Sequence, residues 1–266
     1  MSIYVEHPVR TVSEQTFREI DYRVMKLAFD AHNRMGRFYD EKIYQNELMA
    51  ACIEMGINAT SEVKIELTHK TFAKELFIDL LIEHRIIYEL KAARSIISDH
   101  RIQTIDYLLL SNIQYGKIVN FRSASVQHEF VSTTLKHADR KKISICDEGW
   151  GETSETAVRL MTVTTDLLSD WGAFLDTNLY KEAIAYFFGG LEEISKPVEI
   201  YRNGAPIGTQ RLPLLSPTKT FFISSIKTGI ESYQSHLQRL LNCTHLTSLF
   251  WINLNRSEVQ FRTLHA

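Results

Sequence analysis

The 266-residue sequence predicts an α/β protein built from two similar halves, and three observations carry that expectation. Apolar side chains first recur at helical spacing, and then the period switches to two. A pair of apolar runs near residue 84 carries charges where buried strands normally have none. Finally, the chain resembles itself when slid by about 136 positions.

Residues 13–34 read as a helix, with Phe17, Ile20, Val24, Leu27, Ala28 and Ala31 along one face and Gly36 as its break. A second helix is expected from about Asp40 to Met55, with Tyr44, Leu48, Ala51, Cys52 and Met55 on one face and Gly56 as the stop. "SEVKIELTH" (61–69) alternates Val63, Ile65 and Leu67 with charged residues, the pattern of a half-buried strand. Residues 75–82 and 86–92 give two more strands, 102–112 a helix and 116–121 a further strand. Helix, three strands, helix, strand is an αβββαβ unit around a mixed sheet.

After Lys142, "CDEGWGETSETA" reads as a polar linker. A shift of 136 then lays Arg23, Met25, Asp30, Gly36, Phe38, Asp40 and Tyr44 on Arg159, Met161, Asp166, Gly172, Phe174, Asp176 and Tyr180. That is seven identities in 22 ungapped positions, against roughly one from average residue usage. A shift of 133 lays Asn120, Val126 and Gln127 on Asn253, Val259 and Gln260. The expected domains are therefore residues 1–142 and 150–266, the second a copy of the first.

Formal net charge is −2, so neither half is a polycation, and nucleic-acid contact would need a local patch or a metal. Cys52, Cys146 and Cys243 form no CxxC pair, which argues against a disulfide framework or zinc knuckle and fits a reducing cytoplasm. The N-terminal residues lack a signal-peptide pattern, and no stretch nears the ~20 apolar residues that span a bilayer. The histidines show no i, i+4 zinc pair. His100, three residues before Gln103, faces the expected site, Tyr44 reads as a core aromatic, and "HADRKK" (137–142) reads as a solvated basic run. "YRNGAPIG" reads as a hairpin turn and lacks the Lys-Ser/Thr of a phosphate loop.

The segment "FIDLLIEHRIIYELKAA" (77–93) concentrates the chemistry. A hairpin centred on His84 pairs residues whose numbers sum to 168, which sets Asp79 opposite Glu89 and Phe77 opposite Lys91. Opposed side chains lie about 4.5–5.5 Å apart at Cβ and share a face, as do residues two apart on a strand. Asp79, Glu89 and Lys91 thus converge, with Ile78, Leu80, Tyr88 and Leu90 behind them. Two opposed carboxylates repel, and either an ion pair with Lys91, a proton or a divalent cation can offset the repulsion.

The order of Glu41 and Tyr44 in "GRFYDEKIY", Asp79 in "FIDLL", Glu89 and Lys91 in "YELKA", and Gln103 in "HRIQTIDYLLL" resembles the PD-(D/E)XK nuclease superfamily. Over residues 13–135 it is similar to the GxxExxY family within it, although Phe38 stands where the eponymous Gly should and the nearest glycine is Gly36. The resemblance implies a restriction-endonuclease-like fold and a metal-dependent phosphodiesterase. It implies that Asp79, Glu89 and Glu41 hold Mg²⁺ or Mn²⁺, that Lys91 positions or activates water, and that Gln103 orients water or phosphate. Nucleic acid, DNA before RNA, would be the substrate.

In the second half Thr177 takes the place of Glu41, the place of Asp79 falls near Pro213, "FISSIK" replaces "YELKA", and His236 replaces Gln103. That half is expected to be a degenerate copy without carboxylates, packing against the first or helping to bind a protein partner. A different class of function on the same residues is a non-catalytic module that binds nucleic acid or protein, because fold alone does not select an activity.

Overall fold

In the computed structural model, which describes residues 2–266, a short strand β1 (Ile3–Val5) precedes two helices. Helix α1 (Glu14–Met35) begins where the Ser13 hydroxyl accepts the Thr16 N–H, and it ends at Gly36 with φ +76°. Helix α2 (Glu41–Glu54) follows, and then strands β2 (Ala59–His69), β3 (Phe72–Ile82) and β4 (Ile86–Lys91). Helix α3 (Ser98–Ser111), β5 (Tyr115–Asn120) and β6 (Gln127–Ser132) complete a first unit that ends at His137.

The six strands run β1-β2-β3-β4-β5-β6 across one sheet, antiparallel except for β4 and β5. A parallel pair cannot be joined by a tight turn, and α3 is the crossover that joins this one. Phe17, Val24 and Ala28 of α1 and Tyr44, Leu48 and Cys52 of α2 pack on Leu80, Ile82, Tyr88 and Leu90, one face of the sheet. Helix α3 packs on the other face. A Cβ on Gly116, the register partner of Ile87, would stand 3.3 Å from Thr104 and 3.4 Å from Leu108. That missing side chain is what lets α3 sit close over the face shared by Ile87 and Glu89.

A short helix α4 (His137–Arg140) and strand β7 (Ser144–Gly149) lead into the second unit. It continues with α5 (Glu155–Trp171), α6 (Thr177–Phe187), α7 (Leu191–Ile194), β8 (Ser195–Arg202), β9 (Ala205–Ser216) and β10 (Lys219–Ser224). Helix α8 (Ile230–Asn242), β11 (Ser248–Asn255) and β12 (Glu258–His265) close it. Its sheet runs β8-β9-β10-β11-β12-β7, with β10 and β11 parallel. Five strands and their crossover helix therefore repeat the order β2 to β6. The sixth strand sits on opposite edges: β1 lies against β2, and β7 against β12. The two α/β units follow the predicted αβββαβ pattern, each with one more strand after it.

Two details repeat at atomic level. Tyr44 donates its hydroxyl to Gly36 O at 2.7 Å, and Tyr180 donates to Gly172 O at 2.5 Å. Asn120 donates to Ala93 O and Gln127 Oε1 and accepts from Ala93 N–H, while Asn253 does the same with Ile226 and Gln260. These pairs follow the offsets 136 and 133. Tyr44 is a core aromatic, as its helical position implied. The "YRNGAPIG" turn is also as expected, with Asn203 and Gly204 at φ +51° and +78° joining β8 to β9.

Three expectations are corrected. The stretch read as a linker contains β7, which pairs in parallel with β12 more than a hundred residues later, a partner that local composition does not reveal. Arg140, in the run read as solvated, is fully buried; its guanidinium donates to Trp171 O and to Ala173 O at 3.0 Å. Helix α3 starts at Ser98 rather than near 102, because its first turn is polar and has no apolar period to announce it.

Candidate active site

The hairpin turns where the sequence placed it. Leu80 pairs with Tyr88, Leu81 with Ile87 and Ile82 with Ile86, so the partners sum to 168 about His84. The backbone ladder then stops one pair short of Asp79 and Glu89. The Leu90 N–H that would continue it is taken by Asp79 Oδ2 at 2.7 Å. On the other side of β3, Glu62 is absent from the β2–β3 register and has φ +54°. Asp79 thus sits where both neighbouring strands release β3, the kind of local interruption that re-aims side chains at functional sites.

Helix α2 fills this gap. Gln45, four residues after Glu41 and so on the same helical face, donates Nε2 to Asp79 O at 2.6 Å and to Glu62 Oε1 at 2.9 Å. Gln45 is itself buried and anchors the loosened backbone of β3. Glu41, one turn earlier, reaches the same patch. The Lys91 Nζ lies 2.6 Å from Glu89 Oε1, 3.8 Å from Asp79 Oδ2 and 3.8 Å from Glu41 Oε1. Glu41, Asp79, Glu89 and Lys91, all named from the sequence, are therefore brought together.

Their environments differ sharply. The Glu89 side chain is 1% exposed, that of Asp79 17% and that of Glu41 43%. Burial, reinforced by Asp79, pushes the Glu89 carboxyl up to about 8, with Lys91 opposing. Burial also pushes Asp79 up to about 6 against the pull of Lys91 and the Leu90 N–H. Burial works to lower the Lys91 ammonium, but Glu89, Asp79 and Glu41 outweigh it and hold it above its ordinary value. Three acids share one cation, and the two inner carboxyls resist losing their protons.

Helix α3 lies over this group. Gln103 donates Nε2 to the Tyr107 hydroxyl at 2.9 Å, so it touches the site through Tyr107 rather than through the carboxylates. Burial, and then Glu89, raises the Tyr107 phenol above its ordinary range. His100 accepts the Ile97 N–H on Nδ1, and burial, then Lys91, holds its imidazole below its usual value. The sequence reading missed Gln45, Glu62 and Tyr107. The spacings 41/45 and 103/107 were signals available for two of them; the left-handed backbone at Glu62 left no trace in the alternating pattern of β2.

Among the described residues, no three His, Cys, Asp or Glu side chains close on a common point as they would around a bound ion. The Lys91 ammonium occupies the middle of the acids instead. The donor set still fits a hard divalent cation. Glu89 Oε2 is buried without a hydrogen-bond partner, and a group of carboxylate oxygens with one left unpartnered is the hard donor set that such an ion takes.

In the second unit the matching positions hold Thr177 for Glu41, Leu212 for Asp79, Phe222 for Glu89 and Ser224 for Lys91. The offset fixed by Asn253 makes Leu212 the counterpart of Asp79, one residue from the expected Pro213. Leu212 is buried, and the Ser224 hydroxyl is held by Asn253 and by the Trp251 indole.

The family model described as the PD-(D/E)XK nuclease superfamily matches residues 18–132. A solved structure, that of SSO0001, is 18% identical, covers 50% of this chain and 71% of its own, and has a TM-score of 0.31. No curated protein matches the chain. No helix among the described residues is long and apolar enough to cross a membrane. Residues 18–132, the segment that carries Glu41, Asp79, Glu89, Lys91 and Gln103, are thus similar to the PD-(D/E)XK nuclease superfamily.

Proposed function

We propose that the first unit is a Mg²⁺-dependent nuclease that hydrolyses phosphodiester bonds of nucleic acid, with DNA the expected substrate and Mn²⁺ an alternative ion. The observation that carries this reading is the gathering of Glu41, Asp79 and Glu89 around Lys91 at an interruption of the sheet. Glu89, Asp79 and Glu41 would hold the ion, which would supply Lewis acidity toward the phosphate and a lowered pKa for attacking water. Lys91, released from part of its carboxylate shell, balances negative charge developing on the phosphoryl oxygens. Gln103, oriented by Tyr107, holds water or a phosphate oxygen in place. The working domain of this reading is the unit that ends at His137, with β7 and the rest of the chain in the second, in a reducing cytoplasm that suits three free cysteines.

The repeated strand order and the repeated Tyr–Gly and Asn–Gln hydrogen bonds support a tandem duplication, with the second copy chemically silent. The near-neutral charge favours a second reading, a non-catalytic module on the same scaffold that binds nucleic acid or protein without turnover. A cleavage assay on single- and double-stranded substrates separates the two. Asp79→Ala and Lys91→Ala should each lower a Mg²⁺-dependent rate by about 10²–10³-fold. Activity that survives both substitutions would place the site elsewhere, and binding without any cleavage would favour the module.

A further inference from the structure

At the carboxyl ends of the parallel strands β10 and β11, Phe174, Leu175, Ser225, Lys227, Leu254 and Arg256 line a cleft of about 300 Å³. Open α/β sheets place ligands at this end of their strands. The first unit has Lys91 at the matching end of β4. We propose that this cleft is a metal-independent phosphate site that holds the backbone of a nucleic-acid strand. The proposal rests on the nucleic-acid reading above and assigns a task to the unit that lacks the acids.

Charge is the first argument. The Lys227 and Arg256 side chains have no hydrogen-bond or ion-pair partner among the described residues. Two unpaired cations on the wall of one cleft create a positive field that an anion can neutralise. In the first unit, three acids repel phosphate and call for a divalent ion. Here the counterparts Thr177, Leu212 and Phe222 are neutral, so a phosphate needs no such mediator. The neighbouring Asp176 carboxylate is committed to α6, where it accepts the Asn178 N–H.

Preorganisation is the second argument. Three separate segments form the walls, and at least two are held by buried polar groups. Arg140 fixes the loop bearing Phe174 through Trp171 O and Ala173 O, and the Ala173 N–H returns to Arg140 O. A Cβ on Gly172 would stand 2.8 Å from the Arg140 Cβ, so only glycine permits this approach. Asn253 grips both backbone groups of Ile226, between Ser225 and Lys227. Phe174 and Arg256 sit at φ +75° and +57°, backbone conformations that side chains seldom adopt without surrounding support. The apolar Phe174, Leu175 and Leu254 leave room for a sugar or base beside the phosphate.

The test is fluorescence anisotropy of a labelled 20-nucleotide DNA, single- and double-stranded, titrated with the full chain in EDTA. The probe for the free-anion source is inorganic phosphate, added as competitor and also titrated alone by heat of binding. Lys227→Ala with Arg256→Ala should weaken DNA binding by about tenfold and reduce the log–log salt slope by about 1.4 for single strands. The Lys227→Arg with Arg256→Lys pair should restore binding. Both side chains are exposed, so an unchanged thermal midpoint shows that the fold is intact. Wild-type affinity and slope in the alanine pair would overturn the proposal, and Mg²⁺-dependent cleavage of DNA would then still stand. Phosphate binding that the alanine pair abolishes, with no DNA binding by the wild type, would overturn the nucleic-acid assignment. Binding of neither would overturn both parts.

Discussion

Beneath α3 in the first unit, the sheet presents Glu89 and Lys91; beneath α8 in the second, the same strand positions present Phe222 and Ser224. The replacement continues across the face. Tyr233 stands where the first unit has His100, Trp251 where it has Ile118, and Leu237 where it has Thr104. Leu212, Leu237, Leu241 and Trp251 are buried together, with Phe222 and Tyr233 packed against them. One backbone plan thus supports either a charged pit or an apolar core. The difference teaches what the charges cost. A sheet face under a helix is most simply filled by apolar side chains. The first unit instead keeps a carboxyl at 1% exposure with one oxygen unpartnered, which stability alone would not select.

The contrast places the largest stability effect in the second unit. Trp251→Ala removes a fully buried indole that donates to Ser224 Oγ at 2.8 Å and lies against the Tyr233 ring at a tilt of 36°. It should cost about 3–5 kcal/mol in urea unfolding. A loss below about 1 kcal/mol would mean that the apolar face is not a core.

The next effect, smaller and of opposite sign, lies in the first unit and depends on pH. Without metal, the folded protein holds protons on Glu89 to about 8 and on Asp79 to about 6, above the ordinary 4.5 and 3.8. The folded state therefore binds more protons than the unfolded chain across that window. The stability these groups retain is fully present below their ordinary values and is lost as pH rises through 6 and then 8. Glu89→Gln, measured in EDTA, should flatten this decline and stabilise the protein at pH 8 by on the order of 2 kcal/mol. A decline of unchanged slope would remove Glu89 as its source.

The smallest effect sharpens the equivalence of the two units. Tyr44→Phe and Tyr180→Phe each delete one hydroxyl donor to a glycine carbonyl at the turn between two helices. Each should cost about 1 kcal/mol, read as separate shifts in hydrogen exchange of the two units. A cost in only one unit would show that the shared geometry is not shared energetics.

Local signals carried much of this molecule. The polar "EHR" between two apolar runs placed the turn at His84, and with it the face that Asp79, Glu89 and Lys91 share. Alternation in "SEVKIELTH" gave β2, and Gly36 gave the end of α1. What escaped depends on partners distant in the chain. Strand β1 is three residues long and is stabilised by β2, sixty residues away. Strand β7 is exposed throughout and owes its form to β12. Arg140 looks like a surface cation until the carbonyls of Trp171 and Ala173 come round to accept its protons. At the site itself, periodicity predicted a regular Asp79–Glu89 pair. It could not show that the Asp79 side chain would take the Leu90 N–H in place of the backbone.

The central proposal is that Glu41, Asp79 and Glu89 of the first unit, and no group of the second, hold one divalent ion. Titrating the full chain with Mn²⁺, with bound ion counted by electron paramagnetic resonance, tests it most directly. The account predicts one ion per chain, bound more tightly at pH 8 than at pH 6 because Asp79 and Glu89 must release protons, and absent in Asp79→Ala. No bound ion, two ions per chain, or wild-type affinity in Asp79→Ala would contradict it.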